Sequence, residues 1–400
     1  MLAASASGCS SRSPGNGASS AGGTIKIGID LPVSGADAST GIPTRNGAVL
    51  AIEQAARKGL PGGFTLVAYD LDDAVQGTHD PNQGAQNTRA FISDPSVLAM
   101  IGPFNSNVAA AEIPLTNDAG LTQISPANTN PGLTKGPQAA ALRTAHPETN
   151  AYFRVCATDD RQGLVGAEFA RKRGFRRAFV VDDNETYGKG LADVFATDFA
   201  ARGGTVVDRE HLTRGQTDFK ALLTKAAALR PDVVYYGGTT STGGGLLRHQ
   251  MADAGLGDVP MIGGDGIADA EFFTVAGTSA NGVTYSVAAP NVQELPSAAT
   301  FIAQYTARWH TPPGPYSANA YAAAQIEIAA IERTIVADHN ALPTRAQVRA
   351  LVAATHDFPS PIGKIGFDAA GDTSDPILSL YTVENGAPRF IAQFALASVH

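Results

Sequence analysis

Arg177-Ala178-Phe179-Val180-Val181-Asp182-Asp183 is an apolar run closed by two acids. Helical spacing precedes it at 161–173 and follows it at 189–202. An apolar run between two helices reads as a central parallel strand covered on both faces. Forward from it come a short strand at 205–207, an amphipathic helix at 217–230 (Phe219, Leu222, Leu223, Ala226, Leu229), a strand at 232–238, a helix at 244–254 and a strand at 259–264. Backward, the same alternation has already run once. Strand 25–31 leads through a loop marked by Ser34-Gly35 and Thr40-Gly41 to a helix near 45–58. Strand 64–69 closes on Asp70, Asp72 and Asp73; helix 82–93, strand 97–103, a helix opening at Ser106 and strand 121–125 complete the run. Pro114 is expected to kink or interrupt the helix after Ser106.

Alternating strands and helices predict an α/β fold with doubly wound parallel sheets. Two successive runs of similar size predict two lobes. The remainder is a strand at 281–287, helices near 296–309, 317–337 and 344–354, and short strands near 362–367, 377–383 and 389–394. These pieces are too few and too mixed for a third core, so they are expected to complete the two lobes. The expected division is a tail at 1–23, a first lobe of 24–147 plus 278–357, and a second lobe of 148–277 plus 358–400.

Composition narrows the function classes. In 400 residues, 16% are charged and 44% hydrophobic, which suits a folded, turn-rich protein and not a disordered one. A net charge of −8 argues against nucleic acid as a partner. No apolar run approaches the ~18 residues of a membrane span. Of the two cysteines, Cys156 follows strand-like sequence and reads as a small buried hydrophobe, with no disulfide expected. No zinc-protease, phosphate-loop, nucleophile-elbow or Cys-x-x-Cys pattern is present, and the eight histidines lack metal-ligand spacing. Gly188-Lys189-Gly190 has no hydroxyl residue after the lysine and is not a phosphate loop. We therefore expect no catalysis, cofactor or metal.

The N-terminal stretch Ala6-Ser7-Gly8-Cys9 resembles a bacterial lipobox, followed by a polar tether at 10–20. That resemblance implies lipidation at Cys9 and an extracytoplasmic, membrane-anchored or periplasmic location. Ala6 stands where the pattern usually has leucine, and the basic and apolar leader regions are missing, so Met1 reads as a misplaced or engineered start.

Five segments recur in a characteristic order: Gly102-Pro103-Phe104-Asn105-Ser106, Ile124-Ser125-Pro126-Ala127-Asn128-Thr129-Asn130-Pro131, Asp183-Asn184-Glu185-Thr186-Tyr187-Gly188-Lys189-Gly190, Thr217-Asp218-Phe219 with 231–238, and Gly314-Pro315-Tyr316 with Tyr321-Ala322-Ala323. In this order the chain resembles the branched-chain amino-acid binding proteins over residues ~24–395. Those are extracytoplasmic substrate-binding components of ABC importers with the type I periplasmic-binding fold. The resemblance implies two lobes joined by three hinge crossovers that close over a small-molecule ligand, an ABC permease as partner, and a monomer.

It also assigns residues. An α-amino acid carries a carboxylate and an ammonium on one carbon, and burying both demands charge-assisted partners. Ser106 and Thr129 match the family's hydroxyl donors to the carboxylate, and Ser106 adds a helix N-terminus. By residue type alone Ser106 is equally an N-cap serine, and Thr129 a turn hydroxyl. Ala127 would offer its backbone carbonyl to the ammonium, and Asp265, within Gly263-Gly264-Asp265-Gly266, its carboxylate. Asp265 also fits an ordinary Asp-Gly turn. Tyr187 and Tyr316 match aromatics of the family's second lobe and hinge side; each is equally a core tyrosine with a satisfied hydroxyl. Thr40 and Thr239 stand where relatives often place aromatics, which predicts a roomier, wetter pocket suited to a larger or more polar ligand. Val75 and Asn105 lie where some relatives carry paired cysteines. The rival reading is a sensor of the same fold, reporting an amide or other small polar metabolite to a partner.

Overall fold

The computed structural model describes residues 22–396; Cys9 lies outside the described residues. The first run is Thr24–Leu31 (β1), Ala38–Lys58 (α1), Thr65–Asp72 (β2), a hairpin of Ala74–Val75 (β3) and Thr78–His79 (β4), Pro81–Ser93 (α2), Val97–Ile101 (β5), Ser106–Ala119 (α3), Thr122–Ser125 (β6), Gly136–Ala141 (α4) and Tyr152–Arg154 (β7). The second is Asp159–Lys172 (α5), Arg177–Asp182 (β8), Thr186–Ala201 (α6), Thr205–His211 (β9), Lys220–Leu229 (α7), Val233–Gly237 (β10), Gly244–Asp253 (α8), Met261–Gly263 (β11), Ala270–Ala276 (α9) and Thr284–Val287 (β12). Ala299–Trp309 (α10), Ser317–Ala337 (α11), Arg345–Ala353 (α12), Phe358–Ser360 (β13), Gly363–Ile365 (β14), Ile377–Glu384 (β15) and Ala387–Ala395 (β16) follow.

Two sheets organise these elements. The five-stranded sheet has the order β2-β1-β5-β6-β7 and the seven-stranded sheet the order β16-β15-β12-β11-β10-β8-β9. The first is parallel throughout; in the second, β15 pairs antiparallel with both β12 and β16. Fully buried apolar runs form the sheet centres, Ile25, Ile27 and Ile29 in one and Val180, Val233 and Val234 in the other. Helix α11 packs on α1 and β5, and α12 on β5 and β6, so the late helices cover the first sheet. The chain therefore passes between lobes three times, after β7, after β12 and after α12. These passages lie side by side: the Ala157 N–H donates to the Ala288 carbonyl at 3.0 Å and the Arg154 N–H to the Gly371 carbonyl at 2.9 Å.

Several expectations need correction. β7 pairs with β6 in the first sheet, and β12 pairs with β11 and β15 in the second. The crossings therefore fall after Arg154 and after Val287, not at 147/148 and 277/278. Strands of three or four residues carry too little pattern to announce their sheet. Thr40 is not in a loop, because α1 begins at Ala38. Pro114 does not interrupt α3. It sits on the exposed face, where water can satisfy the carbonyl that its missing N–H leaves free. No helix among the described residues is long and apolar enough to cross a membrane.

Candidate functional site

The loops after β5, β6, β10 and β11 leave the carboxyl ends of their strands and converge between the lobes, where open α/β sheets bind ligands. In the first lobe the loop after β6 is built on Ser125. Its hydroxyl donates to the Pro103 carbonyl at 2.9 Å and accepts the N–H groups of Ala127 at 3.2 Å and Asn128 at 2.9 Å. This turn buries the Thr129 hydroxyl without a well-formed hydrogen bond, though near enough to Asp159 to pull that carboxyl's pKa down against its burial. Ser106, at the first turn of α3, is 2% exposed, and its Oγ accepts only the long 3.4 Å contact from the Asn130 N–H. Two hydroxyls and a helix N-terminus thus stand side by side with little else to bond.

Arg154 sets that loop in place. The guanidinium is fully buried and donates to the Asn128 carbonyl at 2.9 Å, the Asn130 carbonyl at 2.8 Å, Thr134 Oγ1, and Asp372 Oδ1 at 2.6 Å. Breaking a buried ion pair by removing one partner typically costs about 3–5 kcal/mol. Arg154→Met should therefore lower the urea midpoint by an amount equivalent to about 3 kcal/mol or more. A midpoint within experimental error of the parent protein would show that the loop is held by other means.

From the second lobe, Asp265 opens a short 3-10 turn after β11. Its Oδ1 accepts from Gln162 Nε2 at 2.6 Å and the Tyr187 hydroxyl at 3.0 Å, and its Oδ2 from the Tyr316 hydroxyl at 2.9 Å. The two tyrosine oxygens in turn accept the Gly266 N–H at 3.0 Å and the Ala288 N–H at 3.1 Å. Burial pushes the Asp265 carboxyl above its usual range, while the bonds from Gln162, Tyr316 and Tyr187 pull the other way. All three donors are neutral. The same Gln162 amide also donates to Asp159 Oδ1 at 3.0 Å, and burial and the Asp265 charge raise the Asp159 carboxyl further. Two buried acids share one neutral amide, a setting that favours an incoming cation.

Between these groups lies a small, tightly closed pocket. Phe104, Asn105, Ser106, Ala127 and Thr129 line it from the first lobe, and Tyr187, Thr239, Asp265 and Gly266 from the second. Six of the eight expected site residues therefore share one cavity. Tyr316 belongs to the site through Asp265, stacked edge-on against Phe104 with ring centroids 5.5 Å apart, and does not line the pocket. Thr40 does not line it either. Its hydroxyl turns back to the Asp37 carbonyl at 2.9 Å within the first turn of α1. The structure holds the lobes together around the cavity: Asn130 Nδ2 donates to the Thr186 carbonyl at 2.7 Å, and the Ser39 hydroxyl to Asp269 Oδ1 at 3.1 Å.

A sequence model of the family described as "Periplasmic binding protein" matches residues 24–387. The Leu/Ile/Val-binding protein BraC3 of Rhizobium johnstonii is 32% identical over 366 residues, covering 90% of this chain and 92% of that one. The chain belongs to the branched-chain amino-acid binding protein family. A second member of the family, Leu/Ile/Val-binding protein homolog 3 of Brucella melitensis, is 30% identical over 92% of this chain and 94% of its own length. The substrate-binding protein LivJ of Streptococcus pneumoniae, solved in complex with isoleucine, matches with a TM-score of 0.79 at 26% identity over 93% of this chain and 99% of that one. These likenesses establish the two-lobed type I architecture, and they place this family member among ligand-binding proteins and not among enzymes.

Sequence reading missed Gln162, Asp159 and Arg154, which order the site from beneath. It also passed over His79. None of these stands in a motif; each is recruited by packing of segments far apart in the chain. Asn105 stands in one of the segments that carry the resemblance and at a cysteine position of some relatives, but is not among the expected ligand contacts.

Proposed function

We propose that this chain is the extracytoplasmic substrate-binding component of an ABC importer, capturing an α-amino acid or a related small molecule by closure of its lobes. The observation that carries this reading is the polarity of the pocket. Underused hydroxyls at a helix N-terminus come from one lobe, and a carboxylate with only neutral partners comes from the other. A zwitterion satisfies both ends at once, and only when the lobes are closed. A ligand that touches both lobes favours the closed form by its differential affinity for it. Relatives that bind leucine, isoleucine or valine support an amino-acid cargo, and an ABC permease is the partner that such a cargo carrier requires.

A thermal-shift screen over amino acids, amides and small carboxylates tests this. A ligand at a hundred times its Kd adds about 2.7 kcal/mol to stability, a rise of several degrees in melting temperature. At least one α-amino acid should produce it. If none does at millimolar concentration while a simple carboxylate or amide does, the ammonium end of the reading is wrong.

A further inference from the structure

Asn105 is the N-cap of α3, yet its side chain makes no capping bond. An asparagine there ordinarily accepts a backbone N–H two or three residues on. Here the Val108 N–H is taken at 3.0 Å by Asn107 Oδ1 instead. Asn105 is left 7% exposed, its Oδ1 fully buried without a partner, on the wall of the ligand pocket. Buried polar groups almost always find a partner. What fills the cavity, solvent or a ligand group, supplies the missing partner.

The rest of the wall is mixed, Phe104 supplying an apolar ring. Once Ser106, Thr129, Ala127, Tyr187 and Asp265 are given to the carboxylate and ammonium, Phe104, Asn105, Thr239 and Gly266 remain for the ligand's side chain. No leucine, isoleucine, valine or methionine is among them. Thr239 is itself part of a hydroxyl cluster, 2.9 Å from Ser241 Oγ and 3.0 Å from Thr242 Oγ1. A branched aliphatic group pressed against this surface would seal the Asn105 amide away from water and leave it unpaired.

We infer that Asn105 reads the ligand's side chain, and that the preferred ligand is a small α-amino acid bearing a hydroxyl or carboxamide, not a branched aliphatic one. The inference rests on the amino-acid reading of the site given above. Hydroxyl and carboxamide groups both donate and accept, so they complement either orientation of the Asn105 amide. A site built around a buried hydrogen-bonding group rejects ligands lacking the matching group far more strongly than an apolar pocket rejects a misfit.

Calorimetry with serine, threonine, asparagine and glutamine against alanine, valine, leucine and isoleucine tests it. The best polar ligand should bind about tenfold or more tighter than the best aliphatic one. Asn105→Ala should shrink that advantage to about threefold or less, read as the ratio of polar-ligand to alanine affinity in the same variant. Its melting temperature should be almost unchanged, because the side chain caps nothing. If leucine, isoleucine or valine binds tighter than every polar ligand, or Asn105→Ala keeps the full polar advantage, the inference is overturned and the zwitterion site survives. If no amino acid binds at all, both readings fall. The ligand panel on the unaltered protein decides the matter even if the variant does not fold.

Discussion

Asp265→Asn is expected to weaken amino-acid binding between about tenfold and a hundredfold, with the fold intact. The substitution keeps the shape and an acceptor oxygen for Gln162 and Tyr187, while the Tyr316 hydroxyl turns to accept from the new amide. What it removes is the negative charge at the ammonium end. In a pocket closed to water, a charge-assisted hydrogen bond contributes roughly 1.5–3 kcal/mol, and no lysine or arginine compensation is involved because the three partners are neutral. The readout is titration calorimetry with the best ligand from the thermal-shift screen, alongside circular dichroism. Undiminished affinity would falsify the assignment of the cationic end to Asp265. Loss of affinity for a des-amino analogue as large as that for the amino acid would show a general disturbance of the pocket instead.

The second large effect should come from outside the pocket. His79 is fully buried at the end of β4, with Nδ1 2.9 Å from Asp37 Oδ2 and Nε2 2.7 Å from Glu185 Oε2. Asp37 belongs to the first lobe and Glu185 to the second. Arg214, also of the second lobe, donates to Glu185 Oε1 at 2.6 Å and across the gap to Thr78 Oγ1 at 2.9 Å and the His79 carbonyl at 3.0 Å. Asn107 of the first lobe reaches Glu185 Oε2 at 3.0 Å. Carboxylates on both ring nitrogens favour an imidazolium in the closed form, against the Arg214 Nη2 that also lies 3.2 Å from Nε2. Burial alone would lower the His79 pKa; hydrogen bonds and charges from Asp37 and Glu185 outweigh it and push the value up to about 10. The buried carboxyls of Asp73 and Asp183 also feel the His79 charge, and burial raises both.

The sign of the pH effect follows. Opening separates His79 from Glu185 but leaves Asp37 of the same lobe beside it, so its pKa falls to a value between the ordinary one of about 6.5 and the closed one. Between that value and about 10 the closed form binds more protons than the open form. Closure is therefore fully supported below that open-state value and loses support as pH rises through the closed-state value. Ligand binding at pH 8 should take up a fraction of a proton, seen as a dependence of the calorimetric heat on the buffer's ionisation enthalpy. His79→Gln should abolish that uptake and weaken binding roughly tenfold at pH 7. A buffer-independent heat in the unaltered protein, with unchanged affinity in the variant, would remove the clasp from the closing mechanism.

The contrast between Thr129 and Thr40 shows how far the sequence could be read. Both were chosen on the same resemblance. Thr129 follows a strand end and a Ser-Pro turn, local chemistry that fixes where its hydroxyl points, and it lines the pocket. Thr40 depended on where α1 starts. The helix begins two residues before it, and its hydroxyl bonds the preceding turn. The lobe boundaries failed for a related reason: Tyr152–Arg154 and Thr284–Val287 are too short to show which sheet they join.

What the sequence determined by itself was the alternation of strands and helices, the doubling into two lobes, and the hydroxyl and acid residues at strand ends. Apolar periodicity and turn chemistry act over a few neighbours, so they are written locally. Tertiary structure decided the rest: that Gln162 joins Asp159 to Asp265, that Arg154 supports the loop above it, that Asn105 faces the cavity unpaired, and that His79 lies between two lobes. Those relations join residues up to 106 positions apart, as with His79 and Glu185. They arise from how the lobes pack and close on each other, and no short stretch of chain carries a signature of them.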